Sequence, residues 1–371
     1  MKRLLFLFGT RPEAIKMAPL VHAFKETERY TVKVAVTAQH REMLDQVLRF
    51  FEIQPDYDLN LMQPNQSLIG LLSRALSSIE PVLDDFKPDY VFVQGDTTSV
   101  LAGGLAAFHK KIKVVHVEAG LRSFDKYSPF PEEMNRLLSS RLADIHLTPT
   151  PLATQNLKGE GIVNRIVETG NSVIDALLLG LEKIKKNEEP YRNYFQGLDF
   201  SKRILLVTCH RRENFGEPFQ RICKALLELA TNNPTVEIVY PVHLNPNIQN
   251  TANELLIAPN IKLMAPLEYD KMIFLMNKSF LVLTDSGGVQ EEAPTLGKPV
   301  LVLRDVTERT EGISAGTAKL VGTEQDQIVN AVQALLDNEQ LYAAMAEAVN
   351  PYGDGKAAIR TIAVIDSDQV H

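Results

Sequence analysis

Three acidic residues in the first half of the chain have positions that suit acid–base chemistry. Asp96 and Glu118 each come shortly after an apolar run, and Glu132 begins a segment with helical spacing. Carboxylates that are crowded and buried repel each other, so one of them can hold a proton near neutral pH and act as an acid or a base. Simpler roles stay open: Asp96 caps the following helix, and Glu132 forms a surface ion pair with Arg136, four residues further along.

Cationic side chains and histidines gather at the ends of other apolar runs. Arg11 and Lys16 follow the first run of the chain, and His210, with two arginines after it, closes a run in the second half. Such groups suit phosphate binding and proton transfer, although Arg11 and Lys16 could equally be solvated helix residues. Cys209 is not predicted to be a nucleophile, because adjacent strand residues point to opposite faces. His243 closes a further run and either faces the ligand or is a core histidine.

A turn rich in small residues gives the most specific indication of a phosphate. Ser286, Gly287 and Gly288 follow an apolar run and precede a helical segment that contains Glu291 and Glu292. The first N–H groups of a helix lack partners, so this order predicts an anion site with Ser286 as N-cap. By analogy with dinucleotide folds, the glutamates then lie near a ribose, which indicates a nucleotide diphosphate. The alternative is an ordinary capped helix with solvated glutamates.

A further arginine follows a strand-like run near the carboxyl-terminal end of the chain. Arg309 is predicted either to clamp the sugar or phosphate or to pair with Glu308 or Glu311. No set of His, Cys and carboxylate residues has metal-ligand spacing, so no metal is predicted. The loop after the first strand lacks the Gly-x-Gly-x-x-Gly pattern, which counts against a nicotinamide cofactor.

The composition is that of an ordinary globular protein. The chain has 371 residues, of which 45% are hydrophobic and 23% charged, and two are cysteines. A net charge of -7 argues against a general binder of nucleic acid or of anionic membranes. The first apolar run is too short for a signal peptide, and no run is long enough to span a membrane, so a cytoplasmic protein is expected.

Apolar runs alternate with helical segments along the whole chain, which predicts parallel βαβ units. The predicted strands are Leu4–Phe8, Val32–Thr37, Tyr90–Gln94, Val114–Val117, Ile145–Thr148, Ile204–Thr208, Glu237–Pro241, Ile261–Leu263, Phe280–Thr284, Val300–Leu303 and Ala318–Val321. Two doubly wound Rossmann-like α/β domains are therefore expected, with a ligand at the carboxyl ends of the strands, in a cleft between the domains.

The domain boundaries follow from the crossover and from the tail. The first domain is predicted over residues 1–169 and the second over 170–351, and a final helix in 352–371 is expected to pack back on the first domain. The charged stretch Leu181–Ser201 is predicted to be a surface excursion. The tail is expected to be helical to about Ile365 and to fray beyond it.

Several of these segments together resemble the non-hydrolysing UDP-N-acetylglucosamine 2-epimerases. The matching motifs span nearly the whole chain, and their length and order make the resemblance highly specific. They are Phe-Gly-Thr-Arg-Pro-Glu-Ala-Ile-Lys-Met-Ala-Pro (8–19), Thr-Ala-Gln-His-Arg-Glu-Met-Leu-Asp-Gln (37–46), Gly-Asp-Thr-Thr (95–98), His-Val-Glu-Ala-Gly-Leu-Arg (116–122), Tyr-Pro-Val-His-Leu-Asn-Pro (240–246), Thr-Asp-Ser-Gly-Gly-Val-Gln-Glu-Glu-Ala-Pro (284–294) and Asn-Pro-Tyr-Gly-Asp-Gly (350–355).

The resemblance implies a two-domain fold of glycosyltransferase B type, a homodimer and no added cofactor. It implies acid and base roles for Asp96, Glu118 and Glu132, supported by Arg136 and His210. For the nucleotide sugar it implies contacts from Arg11, Lys16, His210, Ser286, Gly287, Gly288, Glu292 and Arg309.

The resemblance also points to a second, activating nucleotide-sugar site that some bacterial members have. The matching positions are Gln39, His40, Glu42 and Arg74, where Glu42 replaces a Gln of relatives. Near the uracil, Leu267 and Met272 stand where relatives can carry Gln and Phe. These departures leave the chemistry intact but affect the expected uracil contacts and the activation.

The implied reaction is the interconversion of UDP-N-acetylglucosamine and UDP-N-acetylmannosamine, which supplies N-acetylmannosamine-type sugars for cell-surface polysaccharides. The implied partners are these nucleotide sugars, with no nucleic acid and no membrane. Two alternatives remain: a glycosyltransferase of the same fold, which would need an acceptor, and a nucleotide-sugar sensor that only binds. The carboxylates and His210 exceed what binding alone requires.

Overall fold

The computed structural model describes residues 1–38, 41–63 and 66–368, which form two compact units. The first unit contains Met1–Leu179 and Tyr352–His371, and the second contains Gly180–Pro351. The predicted boundary after residue 169 therefore lies ten residues too early. The reason is a helix that begins at Ser172, whose Asp175 carboxylate accepts from the N–H groups of Ala357 and Ala358 in the tail.

Each unit is built on a parallel sheet, seven-stranded in the first and six-stranded in the second over the described residues. The strands of the first sheet are β1 (Lys2–Phe8), β2 (Tyr30–Val36), β3 (Tyr57–Asp58), β4 (Tyr90–Gln94), β5 (Lys113–Val117), β6 (Ile145–Thr148) and β7 (Arg165–Glu168). Those of the second are β8 (Arg203–Thr208), β9 (Val236–Pro241), β10 (Ile261–Met264), β11 (Leu281–Thr284), β12 (Val300–Val302) and β13 (Ala318–Leu320).

Helices connect successive strands. They are α1 (Arg11–Glu26), α2 (Arg41–Phe50), α3 (Leu68–Phe86), α4 (Thr98–His109), α5 (Glu132–Leu142), α6 (Pro151–Gly159), α7 (Ser172–Lys186), α8 (Glu189–Tyr194), α9 (Glu217–Asn232), α10 (Pro246–Leu255), α11 (Tyr269–Lys278), α12 (Gly287–Glu292), α13 (Thr310–Ser314), α14 (Gln325–Asp337), α15 (Glu339–Ala346) and α16 (Ala357–Asp366). Arg212–Asn214 and Ala293–Leu296 form 3-10 helices. No helix in the described ranges is long and apolar enough to cross a membrane.

The strand order of both sheets reverses direction at one point. The orders are β3-β2-β1-β4-β5-β6-β7 and β10-β9-β8-β11-β12-β13, so the reversals fall between β1 and β4 and between β8 and β11. The predicted doubly wound α/β class is confirmed for both units. In such sheets, ligands bind beside the carboxyl ends of the strands at the reversal, which directs attention to the loops after these four strands.

All eleven predicted strands are present, and two further strands were missed. β3 and β7 lie at the edges of the first sheet, and neither contains the long apolar run that marks the central strands. The central strands are buried on both faces, as β1 shows with its fully buried run Leu4–Phe8. An edge strand buries less, so its sequence carries a weaker pattern.

The stretch Leu181–Ser201 is more than a surface excursion. It contains the end of α7 and all of α8, and Phe195 is buried against Phe274 of α11 with the two rings stacked 5.6 Å apart. Tyr191 stacks on the same Phe274 ring at 5.5 Å. Aromatic anchors of this kind hold a charged segment to the second unit.

The tail differs from its prediction at its last described residues. The final helix α16 is present as predicted, but Asp368 does not fray. Its carboxylate accepts from the Tyr90 hydroxyl and pairs with Lys113 at 2.7 Å, and its carbonyl accepts from Lys2 at 2.6 Å. These three partners begin strands β4, β5 and β1, so the tail is fixed across the amino-terminal edge of the first sheet.

Candidate active site

The loops at the two reversals carry most of the predicted site residues. In the first unit, Arg11 is the first residue of α1 and Asp96 follows β4. In the second unit, His210 follows β8 and Ser286 follows β11. Because parallel strands end at the same edge, the two loops of each pair lie side by side.

Glu118 is the centre of a buried hydrogen-bond network. Its carboxylate pairs with Lys16 at 2.5 Å and also accepts from Gln94 and from Asn171, the latter at 3.1 Å. The side chains of Lys16 and Glu118 are only 14% and 6% exposed. Lys16 is therefore not the solvated helix residue of the alternative interpretation.

The backbone of Glu118 is left-handed, with a φ of 59°. This conformation is uncommon for a residue with a Cβ and marks a position that the surrounding contacts over-determine. It follows the last residue of β5 directly. The network thus holds one carboxylate at a fixed place at the end of the sheet.

Asp96 is a second carboxylate at this edge and is not a helix cap. Thr97 occupies the N-cap of α4, and its hydroxyl accepts from Val100 N–H. The Asp96 carboxylate instead pairs with Arg136 at 2.8 Å. Burial raises the pKa of Asp96. The positive charge of Arg136 acts to lower it, but the negative charge of Glu118 raises it further. A carboxylate in this environment is suited to carry a proton.

The predicted ion pair between Glu132 and Arg136 is not formed. Arg136 pairs with Asp96 and with Glu133, three residues before it, at 2.9 Å. Glu132 is the first residue of α5 and is half-buried. Residues three and four apart both neighbour Arg136 on a helix, and the fully buried Glu133 has the stronger need for a charged partner.

Glu133 also holds the loop before α5. Its two carboxylate oxygens accept from the N–H groups of Ser123 and Phe124, each at 3.0 Å. Burial works against its charge, but these bonds and Arg136 outweigh burial and lower the pKa of Glu133. Glu133 therefore links the loop at 123–124 to Arg136 and, through it, to Asp96.

The loop that carries Arg11 depends on Gly9 and Glu13. A Cβ at Gly9 would lie 1.8 Å from the Thr37 hydroxyl, so only glycine fits there. The buried Glu13 accepts from Gly9 and Thr10 N–H at 2.7 Å and from the Thr97 hydroxyl at 2.5 Å. Burial raises the pKa of Glu13 despite these bonds. The Glu13 carboxylate thereby links the loop that carries Arg11 to the loop that carries Asp96.

In the second unit, Arg309 lies against the turn before α12. Its Nε donates to Glu291 at 2.8 Å, and a longer contact of 3.5 Å joins it to Glu308. A Cβ at Gly287 would lie 3.3 Å from the Arg309 guanidinium carbon, whereas one at Gly288 would meet no protein atom within 4 Å. Arg309 therefore lies against the glycine turn, and of its two predicted carboxylate partners Glu308 is in contact, in addition to Glu291.

Ser286 has the N-cap position of α12, but its hydroxyl makes no capping hydrogen bond. Glu291 and Glu292 of α12 are buried, so they are not the solvated glutamates of the alternative interpretation. Glu291 pairs with Arg309, and Glu292 accepts from the Tyr269 hydroxyl at 2.7 Å. Burial and the adjacent Glu292 raise the pKa of Tyr269 well above its usual value.

His210 and His243 lie together at the ends of β8 and β9. Their rings stack 5.9 Å apart with an interplanar angle of 18°. His243 is exposed, so the core-histidine alternative is wrong. Cys209 is buried in the hydrophobic core, and burial, with the nearby Asp285, raises the pKa of its thiol well above the usual value. A reactive thiolate is not expected there.

Comparison with known proteins decides what these residues belong to. The profile of the family described as UDP-N-acetylglucosamine 2-epimerase matches residues 22–366. An Escherichia coli K12 protein named UDP-N-acetylglucosamine 2-epimerase is 52% identical over 374 residues and covers 99% of both chains. The chain belongs to this epimerase family. The resemblance drawn from the motifs is confirmed.

Solved structures of the epimerase family share the fold. The UDP-GlcNAc 2-epimerase from Neisseria meningitidis, solved bound to UDP-GlcNAc, has a TM-score of 0.91 and 48% identity, and covers 99% of this chain and 100% of its own. A sucrose-phosphate synthase from Thermosynechococcus elongatus has a TM-score of 0.64 at 11% identity and covers 98% of both chains. That second likeness concerns the fold alone and supports the glycosyltransferase B-type class.

The residues that the resemblance implies near the uracil and at a second site are placed at or just before α11 and on α2 and α3. Leu267 is buried just before α11, and Met272 is half-buried in its first turn. Glu42 is exposed at the start of α2, and Arg74 of α3 donates to Gln66 at 2.6 Å. Gln39 and His40, also predicted for a second site, lie outside the described residues.

Sequence reasoning missed three buried carboxylates that hold the loops of candidate site residues. Glu13, Glu133 and Asp285 each accept from two successive backbone N–H groups of a site loop. Only Glu13 had a usable signal, since Thr10 and Glu13 have the spacing of a capping box. Among the described residues, no group of three or more His, Cys, Asp or Glu could hold a metal ion.

Proposed function

We propose that the chain converts UDP-N-acetylglucosamine reversibly to UDP-N-acetylmannosamine. The observation that carries this proposal is the pair of carboxylates at the ends of β4 and β5, Asp96 and Glu118, each paired with its own cation. Inversion at C2 of the sugar needs one group to take a proton and another to return it. Two interacting carboxylates, one buried and one half-buried, supply both.

The proposed mechanism begins with the departure of UDP. The C2 hydrogen is not acidified by a carbonyl, so direct deprotonation would be far too slow. UDP leaves C1 with the electron pair of the C1–O bond while a carboxylate removes the C2 proton, and C1 and C2 form the double bond of a 2-acetamidoglucal. A proton then returns to C2 on the opposite face, and a UDP oxygen adds back to C1. Asp96, Glu118 and Glu132 are the proposed acid and base groups, with Arg136 holding Asp96.

The second unit stabilises the negative charge that develops on the departing diphosphate. Arg309, His210 and the N–H groups of the Ser286–Gly288 turn are its proposed contacts, with Arg11 and Lys16 of the first unit. Glu292 is proposed to hold the ribose, and Leu267 and Met272 to lie near the uracil. The support is the close packing of Arg309 on Gly287 together with the open space at Gly288.

The direct test is the reaction of purified protein with UDP-N-acetylglucosamine in deuterated water. We expect the manno epimer to form without any acceptor and to carry deuterium at C2, detected by NMR. Product without deuterium at C2 would contradict proton abstraction. Release of UDP only when an acceptor is added would favour a glycosyltransferase, and binding without any turnover would favour a sensor.

We further propose a cytoplasmic homodimer that supplies N-acetylmannosamine-type sugars for cell-surface polysaccharide. The dimer and the second nucleotide-sugar site, with Gln39, His40, Glu42 and Arg74, rest on the family resemblance. The mass of one chain is 41.4 kDa, so light scattering at about twice this value would support the dimer. A hyperbolic dependence of rate on substrate, with no activation, would speak against the second site.

A further inference from the structure

Asp285 is a fully buried aspartate directly beside the loop that carries His210. It follows the last residue of β11, and its N–H donates to the carbonyl of Thr208 at 3.1 Å, so it lies next to the end of β8. Neither the motif comparison nor the proposed roles assign it a function. A buried carboxylate is costly unless hydrogen bonds satisfy it, so its partners show what it is there to hold.

One oxygen of Asp285 organises the loop. Oδ2 accepts from His210 N–H at 2.9 Å, from Arg211 N–H at 2.8 Å and from the Asn214 side chain at 3.0 Å. These three donors hold the backbone that carries His210. The position of Cα of His210 is therefore set by Asp285.

The other oxygen faces the imidazole. Oδ1 receives no hydrogen bond from the described residues that meets ordinary geometry, and it lies 3.4 Å from Nδ1 of His210. A small turn of the ring would close this contact. Because the two ring nitrogens lie on opposite sides of the imidazole, a ring with Nδ1 directed at Asp285 directs Nε2 away from it. The His210 side chain is 42% exposed.

We propose that Asp285 is the positioning residue of His210. It accepts a hydrogen bond from Nδ1–H and fixes the ring, so that Nε2 is the nitrogen that faces the departing diphosphate. Nε2 donates to the diphosphate once it is protonated too, and the Asp285 carboxylate stabilises the imidazolium that then forms. The proton on one ring nitrogen of a histidine is set by the hydrogen bond that this nitrogen makes, and a buried carboxylate is a strong acceptor. This inference rests on the proposed function for the role of Nε2, but the geometry at Nδ1 does not depend on it.

Three other groups near His210 have described contacts of their own. The His243 ring stacks on the His210 ring and so lies over its face. Arg211 is directed to Glu308 at 3.5 Å, and the adjacent Cys209 is buried in the core. Asp285 is the carboxylate that the described contacts place beside Nδ1, at 3.4 Å.

The first experiment measures the tautomer directly. In protein labelled with ¹⁵N-histidine, the ring nitrogens of His210 are assigned by the loss of their signals in His210→Gln. At a pH where the ring is neutral, we expect the Nδ1–H form in the wild type and loss of that preference in Asp285→Asn. A neutral ring with its proton on Nε2 in the wild type would overturn the proposal, and this readout needs neither turnover nor an Asp285 variant that folds.

The second experiment is a double-mutant cycle on epimerisation. Asp285→Asn should lower kcat and kcat/KM together by about tenfold to hundredfold, the range expected for a charged hydrogen bond made in the transition state. In a His210→Gln background the same change should have little further effect, because Asp285 acts through His210. Asp305→Asn, an exposed aspartate after β12, is the matched control and should leave both kinetics and tautomer unchanged.

The cycle separates positioning from a merely structural role. Independent losses from Asp285→Asn and His210→Gln, accompanied by a fall in Tm, would show that Asp285 only holds the fold. If the wild type shows no epimerisation but His210 has the Nδ1–H form, the proposed function fails while the arrangement of Asp285 and His210 stands.

Discussion

The two units use the same strand order but place opposite kinds of side chain at their reversals. In the first unit the loops present carboxylates, Asp96 and Glu118, and the cations Lys16 and Arg136 are tied to them. In the second unit the carboxylates are buried as supports, and Arg309 and His210 are the groups set at the surface of the turn. Under the proposed function, one scaffold thus yields a proton-transfer edge and an anion-binding edge.

The two histidines next to these loops show the same contrast. His116 of β5 is 1% exposed and its Nε2 bonds the Gly95 carbonyl at 2.7 Å, so it is part of the scaffold under Asp96. His210 is more than a third exposed and belongs to the ligand side. The difference teaches that a histidine at a strand end has no fixed role, because the direction of its side chain across the sheet decides it.

The largest effect is expected from removing a carboxylate of the first unit. Glu118→Gln and Asp96→Asn should each lower turnover by about 10²- to 10⁴-fold, the usual contribution of a positioned acid or base. UDP affinity should change much less than turnover, because neither variant removes a group that is proposed to hold the diphosphate. Steady-state assays of epimerisation and calorimetric titration with UDP measure both quantities.

The matched control for lost negative charge is Glu26→Gln, an exposed glutamate at the end of α1. It should leave turnover at the wild-type value. Near-normal rates in both Glu118→Gln and Asp96→Asn would remove these residues from the mechanism and, with them, the distinction between the two edges.

A cation of the second unit should give the opposite signature. Arg309→Lys keeps the positive charge but loses the planar fork, and its ammonium cannot reproduce the contact with Glu291 and the turn at once. UDP affinity should fall by about tenfold to hundredfold, the range for one charge-assisted hydrogen bond.

Calorimetric titration with UDP tests this, with Arg203→Lys as control. Arg203 begins β8, at the opposite end of the sheet, where its guanidinium packs 4.8 Å from the centre of the Phe280 ring. It should bind UDP as the wild type does. Unchanged UDP affinity in Arg309→Lys would show that the turn binds the anion without this arginine.

The sequence predicted the central strands and the residues at their ends because burial on both faces leaves a continuous apolar run. The same logic failed at β3 and β7, which lie at the edges. Side-chain partners were harder to predict than strands. Glu132 and Glu133 are both placed to reach Arg136 on a helix, and only the packing of the loop at 123–124 selects Glu133.

Buried acids were the second failure. Glu133 and Asp285 look like surface residues in the sequence, since acidic side chains are seldom fully buried. Their burial depends on backbone N–H groups of other loops, which lie 9 and 10 residues away for Glu133 and 74 and 75 residues away for Asp285. No local pattern encodes such partners, whereas glycine turns after apolar runs are local and were found.

The buried histidine of the first unit should make stability depend on acid. Burial lowers the pKa of His116 to about 4, below the usual value of 6.5, so between these pH values the unfolded chain binds more protons than the folded one. The contribution of His116 to stability should therefore be fully present above pH 6.5 and be lost as pH falls toward 4. Between about pH 7 and 4.5, His116 should lower the free energy of unfolding by about 2 kcal/mol.

Denaturant unfolding at the two pH values measures this difference. His116→Asn should be less stable at neutral pH, because it disturbs a buried contact, but its stability should fall less on acidification. His109→Gln, which removes an exposed histidine at the end of α4, should retain the wild-type pH dependence. Equal acid sensitivity of His116→Asn and wild type would show that other groups control it.

The smallest effect separates the two glycines of the second unit. Gly288→Ala places its Cβ in space that the protein leaves empty, so the fold should keep its Tm, while a diphosphate seated there would lose several-fold in affinity. Gly287→Ala instead meets the Arg309 guanidinium at 3.3 Å, so it should move that side chain and weaken UDP binding through Arg309. Combining each alanine with Arg309→Lys distinguishes the routes: the effect of Gly288→Ala should add to that of Arg309→Lys, whereas the effect of Gly287→Ala should largely disappear. Full UDP affinity in Gly288→Ala would place the diphosphate away from this turn. The proposed anion-binding edge of the second unit would then lack its backbone N–H donors.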